Sequence, residues 1–355
     1  DFSDGCGHLL LEPSRTNLVT YSECYGNNWS GQSGSLSQGG VGLLSISPTS
    51  GSIKYVVTSD GYNQMYHRID TTTTIGVTYT QQGYVKCDDA PYIHFQVAPY
   101  YNSIIVWDNV NKVIVSQASG LDRVKIVDAG DGWTKAEITY TAQYESVYAS
   151  LKTYFSRSAT KNWDGVPVGT IAYQTLVQLE QDATYPTSYI PTYGVSQTRL
   201  RDNARISSAA GVIGQSAGTI FADFIPTKSF GAQLIEIANG STDRIFTKDQ
   251  INGAFRFDIN ANGSQVVDYT SPTGLITEGQ SNKFALTYSA SGYALYINGS
   301  KITSANDSVV FNSDIDALYL AQTYSGQNIN DFKTNNVILF PTALSDSECI
   351  ALTTI

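Results

Sequence analysis

The chain has 355 residues, of which 41% are hydrophobic, and 31 acidic against 21 basic residues give a formal net charge of −10. A composition of this kind can bury a large core, so the chain is not a disordered tail, and its length predicts about two domains. The acidic balance argues against a surface that neutralises phosphates, and no apolar run approaches the ~20 residues of a membrane span. We therefore expect neither a nucleic-acid partner nor membrane insertion.

Short runs rich in Val, Ile, Thr, Tyr and Phe, separated by Gly, Asn, Asp and Ser, predict β-strands almost throughout the chain. The runs in the first half are Ile53–Thr58, Thr78–Lys86, Ile93–Val97, Ser103–Trp107, Lys112–Val115, Lys135–Thr141, Val147–Phe155 and Thr170–Leu179. Those in the second half are Thr219–Ile225, Ala232–Ala238, Arg244–Thr247, Ala254–Ile259, Val266–Thr270, Asn282–Ser289, Tyr293–Ile297, Ala317–Ala321 and Thr334–Phe340. One short helix is predicted at Ser345–Leu352, where Ser345 and Glu348 have the spacing of a capping box.

Four Asn-Gly dipeptides in the second half predict tight turns, because both residues tolerate the positive φ angles of β-hairpins. They begin at Asn239, Asn252, Asn262 and Asn298. Regularly spaced short strands joined by such turns favour β-sandwiches or closed sheets over parallel α/β folds.

A change of composition near residues 191–217 predicts the boundary between two domains. Pro191 ends a strand-like run, a polar stretch with three arginines follows, and Ser207–Gly218 consists mainly of small residues typical of linkers. We place one domain at 17–195, a linker at 196–216 and a second domain at 217–355. Residues 1–16 are interpreted as a leading segment that belongs to something upstream, since the chain opens at Asp1 and its only methionine is Met65.

The sequence supplies no cluster that would hold a cofactor or a transition metal. None of the four cysteines stands in a C-x-x-C pair, and the histidines are isolated, so no cofactor is expected. We interpret the cysteines mainly as buried or free thiols and leave a Cys6–Cys24 bridge open. Asp258–Gly263 begins like a calcium-binding loop, but Tyr269 stands where a bidentate Glu is needed, so a hairpin turn is favoured. The sequence leaves open a structural calcium ion at another position.

The motifs that resemble catalytic signatures lack their required partners. Gly214–Gly218 has the G-x-S-x-G spacing of a nucleophile elbow, yet a strand follows it and no histidine lies downstream. The second domain also lacks the E-x-D-x-x-E string with which legume-lectin-like glycosidases present their paired carboxylates. We therefore expect no catalytic residues and no enzyme activity.

Aromatic side chains are the candidates for ligand binding, because sugar rings stack on exposed Trp and Tyr while nearby polar groups bond hydroxyls. Trp29 and Trp133 are interpreted as structural. Trp163 lies in a polar stretch that is typical of a loop, and Trp107 ends a strand beside Asp108. The predicted glycan contact consists of Trp163, Trp107, Asp108 and one or both of Tyr100 and Tyr101, which follow a turn.

Two ordered sets of strings carry a resemblance to a known module. LLLEPSRTNL at Leu9–Leu18 is followed by VTYSE, and QLEQDATYPTSYIPT at Gln178–Thr192 is followed by Thr198-Arg199. This pair, with TYTQQGYVK at Thr78–Lys86 and DGWTKAEITYT at Asp131–Thr141, resembles a module of tailed-bacteriophage and prophage virion proteins. The segment between the two ends resembles a jelly-roll carbohydrate-binding module.

The second half resembles concanavalin-A-like or laminin-G-like sandwiches, through NKFALTYSASGYALYINGSK at Asn282–Lys301 and VILFPTALSDSECIAL at Val337–Leu352. The resemblance implies an all-β fold of two tandem antiparallel sandwiches, a jelly roll followed by a lectin-like sandwich. It implies a non-catalytic adhesion protein of a bacteriophage particle, a fibre that binds host-surface polysaccharide. Its expected partners are this glycan, other virion proteins and further copies in a trimer, and its expected location is the virion or extracellular space. The alternatives are an accessory carbohydrate-binding module of a secreted bacterial enzyme and a phage depolymerase.

Overall fold

The chain folds almost entirely as antiparallel β-structure. A computed structural model describes residues 9–23, 26, 28–40, 51–69, 71–98, 104–146, 149–226, 231, 233–326 and 332–355. The strands up to residue 199 are β1 Leu9–Leu11, β2 Arg15–Asn17, β3 Trp29–Gln32, β4 Gly34–Gly39, β5 Ser52–Val57, β6 Gln64–Ile69, β7 Thr78–Lys86, β8 Tyr92–Ala98, β9 Ile104–Asp108, β10 Val113–Gln117, β11 Arg123–Gly130, β12 Trp133–Thr141, β13 Ala149–Ser156, β14 Ile171–Gln181 and β15 Gln197–Arg199. The later strands are β16 Ala204–Ile206, β17 Ala217–Pro226, β18 Gln233–Asn239, β19 Asp243–Gln250, β20 Ala254–Ala261, β21 Ser264–Thr270, β22 Asn282–Ser289, β23 Gly292–Ile297, β24 Ser300–Ala305, β25 Ala317–Leu320 and β26 Phe332–Phe340.

The short C-terminal helix is confirmed. Helix α1 spans Asp346–Thr353, and Ser345 caps it with the reciprocal bonds to Glu348 that a capping box requires. A 3-10 turn, Ile251–Gly253, separates β19 from β20. No helix within the described residues is both long and apolar enough to cross a bilayer.

The chain divides into two compact units, and the first unit is Arg15–Arg199. It contains two six-stranded sheets, which we call sheet 1 (order β10-β9-β8-β13-β6-β3) and sheet 2 (order β11-β12-β7-β14-β5-β4). Both sheets supply apolar side chains to one buried cluster, which includes Phe95, Trp107 and Leu151 from sheet 1 and Tyr55 and Ile138 from sheet 2. This arrangement is a jelly-roll-like β-sandwich, as the sequence predicts.

The second unit contains residues 200–355 together with the chain up to Ser14. Its two six-stranded sheets have the orders β1-β26-β17-β22-β23-β24 and β16-β25-β18-β19-β20-β21. The four predicted Asn-Gly turns all lie between consecutive antiparallel strands of these sheets. Asn252, Asn262 and Asn298 have the positive φ angles, 64°, 57° and 48°, that the turns require.

Two segments that the sequence analysis set apart from the domains form strands within the units. In the leading segment, β1 pairs with β26, and Leu11 is buried in the core of the second unit. In the segment interpreted as a linker, β15 pairs with β2 of the first unit and β16 pairs with β25 of the second. The residues that follow are not all exposed, since Ala209 and Ile213 pack into the core of the second unit. The division between the units falls between Arg199 and Leu200.

Because each unit has its own buried cluster, we expect each to fold alone. A fragment of residues 15–199 should unfold with one cooperative thermal transition, and a fragment of residues 200–355 should do so at reduced stability because it lacks the edge strand β1. Circular dichroism of both fragments checks this. Two unfolded fragments from a stable full-length chain would mean that the units share a core.

Candidate functional site

The candidate site lies on the outer face of sheet 1, beneath the loop of residues 156–165 that carries Trp163. A buried hydroxyl organises this loop: Ser156 Oγ lies 2.7 Å from the Lys161 carbonyl and 3.0 Å from the Asp164 carbonyl. Ser158 Oγ accepts bonds from the backbone N–H groups of Thr160 and Lys161, both at 3.2 Å. These local side-chain-to-backbone bonds hold the loop without regular secondary structure.

The end of the loop is fixed by a close approach of two backbones. A Cβ atom at Gly165 would stand 2.4 Å from the carbonyl oxygen of Gly61 and 2.1 Å from Oδ1 of Asn63. Only glycine fits there without displacing the neighbouring chain. The loop therefore has one defined position against the segment that carries Tyr62.

Three aromatic rings form a row on this side of the first unit. Trp163 is 51% exposed and Tyr62 is 41% exposed, and their ring centroids lie 6.3 Å apart. Tyr62 in turn lies 6.4 Å from the ring of Tyr154, which is buried and donates its hydroxyl to Oε1 of Gln96 at 3.0 Å. Two amphipathic rings thus remain open to a ligand above a buried one.

A groove of about 520 Å³ lies next to Trp163. Its apolar lining consists of Trp163 with small aliphatic side chains from β9, β10 and the loop, and its polar lining includes Gln117, Thr160 and Asn162. An open depression with an apolar wall and a few polar groups suits a sugar ring, which has apolar C–H faces and polar edges.

His94 lies in the lining of the groove and ties β8 to the loop. It is buried, and its Nε2 lies 2.8 Å from the Ser158 carbonyl, so Nε2 carries the proton and donates it. Burial lowers the pKa of His94 below its ordinary value, and the bond to Ser158 opposes this only in part. His94 is therefore a neutral structural donor at pH 7.

Trp107 does not belong to the site, which corrects the prediction from sequence. It is fully buried in the core of the first unit, where its ring lies 6.1 Å from that of Phe95. Its neighbour Val106 on β9, not Trp107, lines the groove, because consecutive side chains of a strand point to opposite faces. No face of the Trp107 ring is available for stacking.

The carboxylate of Asp108 is hydrogen-bonded within its own turn. Its carboxylate accepts bonds from the backbone N–H groups of Val110 (2.8 Å) and Asn111 (3.0 Å), and from the Asn111 side-chain amide (2.8 Å). The Asn111 bonds, with smaller contributions from Val110 and Lys112, lower the pKa of Asp108. Tyr100 and Tyr101 lie outside the described residues. Of the predicted contact, Trp163 is thus the residue that stands exposed at a groove.

Tyr62, His94 and Asn162 were not predicted from the sequence as residues of the site. Tyr62 and Asn162 lie in loops, and only the fold brings Tyr62 beside Trp163. His94 carried a usable signal, since it alternates with the apolar Ile93 and Phe95 of a predicted strand and must therefore face outward.

The second unit has a polar face of its own around Glu236 on β18. Glu236 is completely buried, and Nη1 of Arg244 lies 3.8 Å from its Oε1. Burial raises the pKa of Glu236 to about 7, and the attraction of Arg244 and the bond from the Tyr324 backbone N–H offset this only in part. Two strands away, burial raises the pKa of Asp258 to about 6, despite the ion pair of Asp258 with Arg256 at 3.1 Å.

The cysteines and carboxylates of the described residues form no metal centre. Cys87 and Cys349 are buried free thiols, and burial raises their pKa values to about 12 and about 11. Cys6 and Cys24, between which the sequence leaves a bridge open, lie outside the described residues. No group of three or more His, Cys, Asp or Glu side chains in the described part of the chain could hold a metal ion.

No protein-family model matches the chain, and no curated protein matches its sequence. Among solved structures, the chain is similar to the CBM40 module of Ruminococcus gnavus IT-sialidase bound to α2,3-sialyllactose, with 20% identity, 43% of this chain and 96% of that chain covered, and a TM-score of 0.36. It is similar to NanB sialidase from Streptococcus pneumoniae, at 17% identity with 42% and 26% covered and a TM-score of 0.36. It is also similar to a heptameric SAP-like pentraxin from Limulus polyphemus, at 14% identity with 40% and 73% covered and a TM-score of 0.33. Likeness at this level carries no inference about ligand or activity.

The different positions of Trp163 and Trp107 predict different effects on stability. Trp107→Ala removes a fully buried ring and should lower the free energy of unfolding by about 3–5 kcal/mol. Trp163→Ala removes a half-exposed ring and should lower it by less than about 1 kcal/mol. Urea unfolding of both variants measures this, and a large loss for Trp163→Ala would mean that its ring is part of the core.

The raised pKa of Glu236 makes the stability of the protein depend on pH. Because its pKa rises from 4.5 in the unfolded chain to about 7 in the folded one, its stabilising contribution is complete below pH 4.5 and is lost as pH rises to about 7. The free energy of unfolding of the wild type, relative to Glu236→Gln, should therefore fall by about 3 kcal/mol over this interval and stay level above it. Glu278→Gln, at an exposed position, is the control and should leave the profile unchanged. A flat difference between wild type and Glu236→Gln would show that Glu236 titrates normally.

Proposed function

We propose that the chain is a non-catalytic glycan-binding protein that holds its ligand on the outer face of sheet 1. The observation that carries the proposal is the exposed ring of Trp163, fixed by a bonded loop beside a groove with an apolar wall and a polar rim. A stacked ring contributes on the order of 1 kcal/mol to binding a sugar, so a single site would be weak. Several copies of the chain in one assembly would then bind strongly through multivalency.

The bonded loop supports binding because a prepositioned ring loses little freedom when the ligand arrives. Ser156 and Ser158 satisfy the backbone of the loop from within, and Gly165 fixes its end. Rigidity of this kind lowers the entropic cost of association.

The biological setting that we propose is a bacteriophage particle, in which the chain acts as part of a fibre that contacts host-surface polysaccharide. This part rests on the sequence resemblance at Leu9–Leu18 and Gln178–Thr192 and implies a virion or extracellular location, other virion proteins as partners and a homotrimer. The alternative is an accessory carbohydrate-binding module of a secreted bacterial enzyme, which fits the same groove. Sedimentation separates the two, because a fibre is expected to form a symmetric oligomer and an accessory module to be monomeric.

The depolymerase alternative has less support from the second unit. Glu236 has the raised pKa of a general acid, but its side chain is completely covered and a substrate could not reach it. Asp258 is paired with Arg256. We infer that these carboxylates are structural and that the chain releases no product from the glycan it binds.

Trp163→Ala should weaken binding to a glycan about fivefold to tenfold, because it removes the exposed stacking surface at the groove. Binding is measured on an array of bacterial surface polysaccharides, followed by titration of the strongest ligand. Trp163→Phe keeps a ring and should retain part of the affinity.

The control is Tyr324→Ala, which removes a partly exposed aromatic residue, 37% exposed, from the second unit. It should bind as the wild type does. Equal binding by the wild type and Trp163→Ala, or loss of binding in Tyr324→Ala alone, would contradict the assignment of this site.

A further inference from the structure

A half-buried cation, Lys152, lies on the same outer face as the groove. It belongs to β13, where it stands directly opposite Tyr66 of β6 on one side and Gln96 of β8 on the other. Its Nζ lies 5.7 Å from the centroid of the Tyr66 ring. The ammonium group of Lys152 therefore lies over the face of the Tyr66 ring, in the range of a cation–π contact.

Lys152 and the groove lie in one row across the sheet. Ile104, which lines the groove, stands opposite Gln96, and Gln96 stands opposite Lys152. Neighbouring strands are about 4.8 Å apart, so the backbones of Ile104 and Lys152 are separated by about 10 Å. A ligand with one sugar ring in the groove would therefore reach Lys152 by extending across Gln96.

Lys152 is a positive charge on this part of the face, although the chain as a whole is acidic, with a net charge of −10. The outward positions of β3, β6, β8 and β13 include no carboxylate, and the outward Asp108 at the end of β9 is bonded to the N–H groups of its own turn. Within the described ranges, no carboxylate lies within ion-pair distance of Lys152. Asp164, the carboxylate of the loop of residues 156–165, is paired with Arg157 at 3.0 Å.

We propose that the bound glycan is acidic and that an anionic group on one of its sugar residues contacts Lys152 while a neighbouring ring occupies the groove beside Trp163. The inference rests on the proposed glycan-binding function. An anion supplied by the ligand would give Lys152 an ionic partner, which it lacks among the described residues, on a partly desolvated surface where charge pairs are stronger than in water. Gln96, between the two, offers its side-chain amide to the intervening linkage or hydroxyls.

The test uses the full chain and a panel of carboxylate-bearing and sulfated polysaccharides, each compared with its own carboxyl-reduced or desulfated counterpart. The wild type should bind at least one acidic member tenfold or more tightly than its neutral counterpart, and the preference should weaken as sodium chloride rises. Comparison of the carboxylate-bearing with the sulfated polysaccharides shows whether the preferred anion is a carboxylate or a sulfate. Lys152→Met should abolish the preference, and Lys152→Arg should largely restore it.

The control is Lys125→Met, which makes the same charge change at an exposed position of β11 in sheet 2. It should keep the full preference, and thermal unfolding confirms that each variant is folded. If Trp163→Ala weakens binding but acidic and neutral polysaccharides bind equally well, the ligand is not acidic and the glycan site remains. The same conclusion follows if Lys152→Met keeps the preference for acidic polysaccharides. Absence of any binding sensitive to Trp163→Ala across the panel would overturn the proposed function itself.

Discussion

The alternation of side chains across sheet 1 is the constraint on which the candidate site depends. Because one core needs every second residue of β8, β9 and β13, the residues between them are forced onto a common outer face. His94, Val106, Tyr154 and Lys152 are brought together in this way, although β10, β11 and β12 separate β13 from β8 and β9 in the chain. The same rule places Trp107 in the core, so a register shift of one residue would exchange the site for the core.

The loop of residues 156–165 adds to this sheet face what the sheet cannot supply, an aromatic wall that stands above it. Its position depends on a few buried polar groups, above all the hydroxyl of Ser156 and the bond between His94 and Ser158. Loops carry binding functions when a rigid scaffold holds them, and here the scaffold and the loop are bonded directly. The result is an exposed Trp163 on a loop that is bonded to the sheet.

Residue patterns that act locally were predicted well. The capping box at Ser345 and Glu348 and the Asn-Gly turns depend on neighbours in the chain, and the structure has them where the sequence places them. The site was harder to predict from the sequence, because the exposure of Trp163 and the burial of Trp107 depend on which strands become neighbours. The pairing of Tyr62 with Trp163 could not be predicted from the local sequence, since the two residues lie about a hundred positions apart in the chain. The raised pKa of Glu236 likewise comes from tertiary burial.

The most direct test observes the indole N–H signals of the four tryptophans by NMR while a glycan that the chain binds is added. Trp29, Trp107 and Trp133 are buried, and Trp163 alone among the four is exposed at the groove. One indole signal should move on titration, and it should be the signal that is missing from the spectrum of Trp163→Phe. A glycan that binds without moving this signal, or that moves the signals of the buried rings instead, would contradict the assignment of the site to the outer face of sheet 1.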